Sequence, residues 1–492
     1  MSKTNQQDNL PAIEPVPSPA SDSMPFTAPV ATDIVAPELE TAPGPTPSAT
    51  HAALRRQVLA LSWPVILENL LQSLIGFVDT AFVGHLGTDS LAGVGGAQQL
   101  VWLITTALSA IMMGATVLVA HAIGAQNPGE ARRVFKQALV LAGAVAVVIS
   151  IGTYALAEPA VSLLGMDANA TRLGILYLQI SGIGMPFLVA MFTGSAALRG
   201  AGDTRTPMFI TLFINIINVP AAYVLIYGAG PIAGLGVAGS AWAATVARVV
   251  GCVLLAWVFL RPHQTLTLRE PGGWQLDFGL VRRMLNVGLP TAGEQFMLSF
   301  GLTLYGLIVI SLGTAVYATQ RASMNIVQMA FLPGFGFAMA ATTLVGQAMG
   351  AGRTHQAEAG TWMATRYCMI LMSSVGLVFG LFGAPLMRLF SDDPEVIRLG
   401  GEALFIAAWN QPFMAIAQVL AGGLRGAGDT RYPMVSTMIG VWVIRLPLGW
   451  LLGVGFGLGL NGIYLAYVLD TLLRAGMNYW RWRTGHWRHM RV

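Results

Sequence analysis

LRGAGDTRTPM at residues 198–208 returns as LRGAGDTRYPM at 424–434, identical at ten of eleven positions and displaced by 226 residues. The same displacement recurs along the chain. MGATVLVAHAIGA (113–125) matches MAATTLVGQAMGA (339–351) at eight of thirteen positions. Pro64, Glu68, Pro186 and Arg248 fall on Pro290, Glu294, Pro412 and Arg474. A constant offset over so many points means that one unit was duplicated whole, so the fold question reduces to what one unit is.

Composition answers it. Hydrophobic residues make up 54% of the 492 and charged residues 10%, where a soluble domain carries about 25% charged. So few charges cannot clothe a water-facing surface. From about Val58, apolar stretches of roughly twenty residues follow one another, each long enough to cross a ~30 Å hydrocarbon layer. Their cores lie at 60–84, 93–121, 136–157, 174–197, 207–228, 237–260, 286–310, 323–349, 365–386, 400–423, 434–454 and 462–481. Two-residue alternation is absent, which argues against a β-barrel and leaves helices. The expected fold is an all-α integral membrane protein, with twelve transmembrane helices in two six-helix pseudo-symmetric lobes around a central cavity.

Basic residues orient the bundle. Every second loop is rich in them: Arg55 and Arg56; Arg132, Arg133 and Lys136; Arg199 and Arg205; Arg261, Arg269, Arg282 and Arg283; Arg353 and Arg366; Arg425 and Arg431; then Arg481, Arg483, Arg488 and Arg491. The intervening loops hold only Arg172, Arg321, Arg388 and Arg398. The positive-inside rule places both termini in the cytoplasm of an inner-membrane protein, which requires an even number of helices. Six helices per copy give both copies one orientation, related by an axis along the membrane normal.

The expected organisation is a disordered cytoplasmic tail at 1–50, an N-lobe at 51–260, a cytoplasmic linker at 261–283, a C-lobe at 284–482 and a basic tail at 483–492. The first segment is rich in Pro, Ala, Ser and Thr and lacks apolar periodicity, so it cannot bury enough surface to offset its ordering entropy. QLDFGLVRRMLNVG (275–288) reads as an amphipathic lead-in to helix 7. Two cysteines, Cys252 and Cys368, exclude a disulfide scaffold and a cysteine zinc site. The net charge of +4 is spread singly between apolar runs, so nucleic acid is not an expected partner.

An ionised carboxylate at mid-bilayer costs about 2.5–3.5 kcal/mol on the insertion scale, so each one needs a reason. Helix 1 carries Glu68 and Asp79, three turns apart on nearly one face, with Gln72 one turn from Glu68. Helix 7 repeats the first acid as Glu294 but has Tyr305 where Asp79 stands. These acids are candidates for binding a coupling cation or exchanging protons, because burial and a bound cation push a carboxyl group in opposite directions. Helix 5 places Asn215 and Asn218 three apart before Pro220, and amide oxygens beside a carboxylate suit a hard cation. Asp470 and Arg474 are spaced to pair within helix 12, whereas Arg248 and Arg445 have no partner on their own helices and could neutralise one of the acids. His85 and His121 lack metal-ligand spacing. The duplicated loops read as structural or gating turns: glycines for close approach, Asp to cap, Pro for the first turn.

FVDTAFVGHLGTDSLAGVG, TVLVAHAIGAQN, LRGAGDTRTPM, NVPAAYVLIYG, LPTAGEQ and VGQAMGAGR together resemble the multidrug and toxic compound extrusion (MATE) family, in its DinF-like branch, over about Ala52 to Trp482. The resemblance implies export of amphipathic organic cations in exchange for H+ or Na+, with no other cofactor and no enzymatic activity. It implies ion coupling by Asp79, Asn218 and Glu294, with a possible Na+ at Asp79 and Asn218. Ala222 stands where many relatives carry an acid one turn after that Asn, which leans toward proton coupling. Glu68, Gln72, Phe77, Asn215, Tyr305 and Met324 are the candidates to line the substrate cavity, the aromatic and Met side chains by cation–π and soft contacts. The expected partners are small organic cations and the lipid bilayer, and the expected state is a monomer. The alternative function is a flippase for a lipid-linked glycan, which an arginine-dense lumen would favour.

Overall fold

Hydrocarbon offers a backbone amide no water, so each apolar stretch must close its own hydrogen bonds, and the helix does this locally. A computed structural model describes residues 47–229, 232–262, 265–270 and 272–490. Among the described residues, twelve long helices carry the chain. In the first repeat they are α1 (Pro47–Gly84), α2 (Thr88–Gly124), α3 (Pro128–Ala155), α4 (Ala168–Ala201), α5 (Arg205–Tyr227) and α6 (Val237–Leu260). In the second they are α7 (Phe278–Ile310), α8 (Thr314–Gly350), α9 (Thr354–Met387), α10 (Pro394–Gly426), α11 (Arg431–Gly455) and α12 (Gly459–Arg483). The first eleven are long and apolar enough to span a membrane by composition alone. The twelfth has the length, 25 residues, but carries Asp470 and Arg474.

The helices outrun the apolar cores read from the sequence. α1 has 38 residues, α2 and α8 have 37 each, and at about 1.5 Å per residue each exceeds 50 Å. Their polar ends continue the same hydrogen-bond ladder beyond the apolar layer, which hydropathy does not register. The stretch after Gln275 behaves likewise: it is the first turns of α7, capped by Asp277 Oδ1, which accepts from Gly279 N at 2.9 Å and Leu280 N at 3.2 Å. Of the expected tail at 1–50, all but the last four residues lie outside the described residues, and those four begin α1. A two-residue hairpin, Gly228–Ala229 with Ile232–Ala233, joins α5 to α6 and had no sequence signal.

Each lobe has its own apolar core, but the first helix of each lobe crosses to the other. Val58 and Leu61 of α1 are buried among Phe337, Leu344 and Leu404, while Val83, at its far end, packs with Val94 and Tyr177. Reciprocally, Leu280, Met284 and Val287 of α7 are buried among Leu108, Ile111 and Phe135, and Val309 packs with Ile463. Small residues permit these crossings: a Cβ on Gly288 would lie 1.8 Å from Ala110 O, and one on Gly336 would lie 2.3 Å from Ile66 Cγ1. Pro64 and Pro290 sit inside the two crossing helices.

The lobes also meet where α2 and α8 end, on the side that carries the basic loops. His121 Nε2 bonds Gly426 O at 2.8 Å, and Gln347 Nε2 donates to Gly200 O at 3.1 Å. His121 and Gln347 are repeat equivalents, as are Gly200 and Gly426, so each lobe clasps the duplicated loop of the other. Thr343 Oγ1 adds a bond to Arg199 O at 2.9 Å. A Cβ on Gly124 would stand 1.9 Å from Gln347 O and one on Gly350 2.0 Å from His121 O. Every inter-lobe hydrogen bond among the described residues lies on this basic side, so the molecule is closed there.

The linker after α6 is laid along α3. Lys136 Nζ donates to Glu270 O at 2.5 Å and Gly272 O at 2.9 Å. Gln137, fully buried, donates to Gly273 O at 2.8 Å and Gln275 O at 2.6 Å, and accepts from Asp277 N at 3.0 Å. Arg132 pairs with Glu270. After α12 the chain folds back in a similar way: Trp487 is buried and stacked on Trp482 at 4.2 Å, and Arg488 pairs with Glu358 at 2.5 Å.

Candidate functional site

Five carboxylates are buried among the described residues: Glu68, Asp79, Glu294, Asp429 and Asp470. Four of them are in ion pairs. Arg199 Nη1 reaches both oxygens of Glu68 at 3.0 and 3.1 Å. Arg425 Nη2 reaches both oxygens of Glu294 at 2.7 Å, and Thr437 Oγ1 adds a bond at 2.9 Å. These pairs are the same pair twice, because 68 and 294, and 199 and 425, share the repeat offset. The arginines come from the duplicated LRGAGDTR stretches, where they stand in the last turns of α4 and α10 and reach inward onto α1 and α7. Asp429 takes Arg481 Nε at 2.7 Å. Its counterpart Asp203 instead caps α5, accepting from Thr206 N at 3.0 Å and Thr206 Oγ1 at 2.6 Å. Two differences between the repeats go with this: Thr206, which supplies the hydroxyl to Asp203, is Tyr432 in the second copy, and Arg481, which holds Asp429, is Leu255 in the first.

Asp79 alone has no ion-pair partner, and its Oδ1 is buried without a hydrogen bond. Three residues further along α1, Phe82 packs with Ala222 and Ile226 of α5 and Ala243 of α6. Its ring meets Tyr223 edge-on at 6.0 Å, and its carbonyl accepts Tyr227 Oη at 2.7 Å. Since α1 and α5 run in the same direction, one turn back from this contact puts Asp79 and Asn218 at one level of the N-lobe. Asn218 Oδ1 is buried and unbonded; Asn215, one turn below, donates to Thr211 O at 2.8 Å and leaves its own Oδ1 free. Arg248 of α6 lies within Coulombic range of Asp79 and Tyr177, and Gln98 Nε2 approaches Tyr177 Oη at 3.5 Å. The N-lobe interior is therefore a set of oxygen acceptors around one free carboxylate, with a guanidinium at its edge. No group of three or more His, Cys, Asp or Glu side chains that could hold a metal occurs among the described residues.

The other candidates separate. Glu294 is not brought to Asp79 but lies in its Arg425 pair toward the basic side. Glu68 lies in the equivalent pair. Tyr305 is 1% exposed, donates to the Ile463 carbonyl and has Arg445 5.9 Å from its ring, so it belongs to the C-lobe interior rather than to an open wall. Phe77 is 74% exposed, Gln72 is exposed and Met324 is half-buried. The expected pairing of Asp470 with Arg474 is present, Nε to Oδ1 3.0 Å, and Arg445 also binds Asp470. The arginine partners of Glu68 and Glu294 were not read from the sequence, although their shared offset was the signal. Tyr177 and Gln98 left no signal, because single polar residues in apolar helices carry no spacing.

Fold and site together define a polytopic membrane protein made by tandem duplication of a six-helix lobe, with one buried, unpaired acid in its first lobe. The MatE family model matches the chain twice, at residues 64–224 and 290–451, and the chain belongs to this family. It is similar to a probable multidrug resistance protein NorM of Thermotoga maritima, 32% identical and covering 89% of this chain and 94% of the relative. A protein of the same description from Acinetobacter baylyi is 30% identical over 84% of this chain and 92% of its own. Among solved structures, an outward-facing MATE transporter of the MOP superfamily aligns with TM-score 0.81 at 23% identity, over 89% of this chain and 97% of that one. A MOP superfamily transporter from Pyrococcus furiosus aligns equally well, TM-score 0.81 at 22% identity, over 89% and 97%.

Proposed function

We propose that this chain is a secondary antiporter of the inner membrane, both termini cytoplasmic, exporting amphipathic organic cations by alternating access in exchange for H+ or Na+. One observation carries the coupling assignment: of five buried carboxylates among the described residues, only Asp79 is free of an ion pair. A carboxylate that must gain and lose a cation cannot be held by a permanent guanidinium. Asn218 is its assisting amide. Glu294, clamped by Arg425, serves with Glu68 in holding the duplicated loops, and coupling falls to Asp79. The unbonded oxygens of Asp79, Asn218 and Asn215 accept a hard cation as readily as a proton relay. The lobe contacts on the basic side correspond to the half of the cycle closed to the cytoplasm, and rocking about them would open the shared cavity to the other side. A lipid-linked glycan flippase ranks below this reading, since the span interiors hold only Arg248, Arg445 and Arg474, with Asp79 and Asp470 beside them.

Proteoliposomes loaded with a fluorescent organic cation test the assignment, with pH and Na+ gradients imposed separately. Asp79→Asn is expected to lower gradient-driven export about tenfold or more, equivalent to one lost interaction of an ionised group. Full gradient response in that variant would remove Asp79 from the mechanism.

A further inference from the structure

The two lobes share an ancestor, yet they bury different net charge. In the N-lobe interior one acid, Asp79, faces one base, Arg248. In the C-lobe interior Asp470 is shared by Arg445 of α11, in direct contact, and Arg474 of α12 at 3.0 Å. Their side chains are 0%, 3% and 12% exposed respectively. Among the described residues no second carboxylate pairs with either arginine; the nearest other acid in sequence, Asp429, is taken by Arg481 at 2.7 Å, and Glu402 by Arg398 and Asn461, both at 2.7 Å. Duplication sharpens the contrast, because the position of Asp79 is filled in the C-lobe by Tyr305, whose hydroxyl is taken by the Ile463 carbonyl. One net positive charge is left out of water, and an uncompensated buried ion costs several kcal/mol.

Hydrogen-bond donors in the same interior stand idle. Arg445 Nε has no acceptor, and Asn410, fully buried on α10 beside Tyr467, has no well-formed hydrogen bond at Nδ2 or Oδ1. α11 winds as a wide π-helical turn over Ile439–Arg445, a feature that recurs where helices are reshaped for binding. Within that turn Gly440 keeps room for the carboxylate, since a Cβ there would lie 2.1 Å from Asp470 Oδ1.

We propose that the C-lobe interior binds a monovalent anion, a halide or a carboxylate, against Arg445 and Arg474, with the Asn410 amide N–H as its further donor. The anion has two sources. It is either a resident inorganic ion, or the carboxylate of the transported molecule. In the second case, which rests on the antiport reading above, the substrate is an amphipathic zwitterion whose amine meets Asp79 and whose acid meets the C-lobe.

Thermal unfolding of the full-length protein in lipid nanodiscs, at one ionic strength with sodium chloride, acetate or methanesulfonate, tests the site. A ligand that binds only the folded state raises Tm as it saturates. Chloride or acetate is expected to raise Tm over methanesulfonate, neither a halide nor a carboxylate, in the wild type and not in Arg474→Gln, which keeps the neutral Arg445–Asp470 pair and therefore the fold. Proteoliposome export of a rhodamine free acid and of its methyl ester separates the sources. With a substrate carboxylate, Arg474→Gln lowers free-acid export about tenfold and spares the ester; with a resident ion, it changes both dyes alike. Equal Tm in all three salts together with an unchanged acid-to-ester ratio overturns the proposal, as does an undiminished salt response in Arg474→Gln. Failure to export the ester at all would instead strike the antiport reading and leave the Tm result to decide the site.

Discussion

Glu68, Asp79 and Glu294 lie on equivalent helices and are equally buried, but their partners give them different work. An acid embraced by a guanidinium through two hydrogen bonds is a fastener: the pair is charge-balanced, and removing one member strands the other. Glu294→Gln is therefore expected to destabilise the protein by about 3 kcal/mol, the lower range for breaking a buried pair. Adding Arg425→Gln should recover most of that loss, since no ion is then stranded. Thermal unfolding of both variants checks this; a double variant no more stable than the single one contradicts it. The sequence showed that these acids were buried and duplicated. It did not show their partners, because Arg199 and Arg425, in the last turns of α4 and α10, read from the sequence as part of basic loops exposed to the cytoplasm. Offset arithmetic applied to both members of each pair would have exposed the match.

Among the helices, the decisive meeting is between the ends of α2 and α8, where glycine lets backbone touch backbone. Overlaps of 1.9 and 2.0 Å are far inside the roughly 3.5 Å that carbon needs, and both obstructing atoms are carbonyl oxygens. Gly124→Ala and Gly350→Ala should each prevent closure of the basic side and shift the protein toward the state open there. Distances between spin labels on the α2 and α8 ends would lengthen in these variants. Gly143→Ala, where nothing lies within 4 Å, should leave them unchanged. Helix number and type were legible because apolar length and the absence of two-residue alternation leave one solution in lipid. The polar ends of the helices, the hairpin after α5 and the π-helical turn of α11 were not legible: each is set by tertiary packing rather than by local pattern.

On the scale of the whole molecule, the linker between the repeats is a strap fastened to the N-lobe. Gln137 holds it by three hydrogen bonds from a fully buried position. Gln137→Leu leaves two carbonyls and one N–H without partners, at about 1–3 kcal/mol for each group that stays buried. The strap should then loosen, and limited proteolysis from the basic side should cleave within 265–277 much faster than in the wild type. An unchanged cleavage rate would show that Lys136 and the arginines suffice to hold it. Legibility at this scale was divided. Duplication predicted two like-oriented lobes, but a polar, turn-rich stretch reads as a tether whether or not something grips it. The partner surface on α3 is recognisable only once it is folded.

The exchanged first helices also bear on how the molecule is made. α1 leaves the ribosome well before Phe337, Leu344 and Leu404, the side chains that cover Val58 and Leu61, have been synthesised. Until α8 and α10 insert, Val58 and Leu61 lack the side chains that cover them, and the N-lobe is an unfinished body. Neither half-gene product is thus a self-sufficient protein, and an ancestral single-lobe chain would have met the same need by exchanging this helix with a twin.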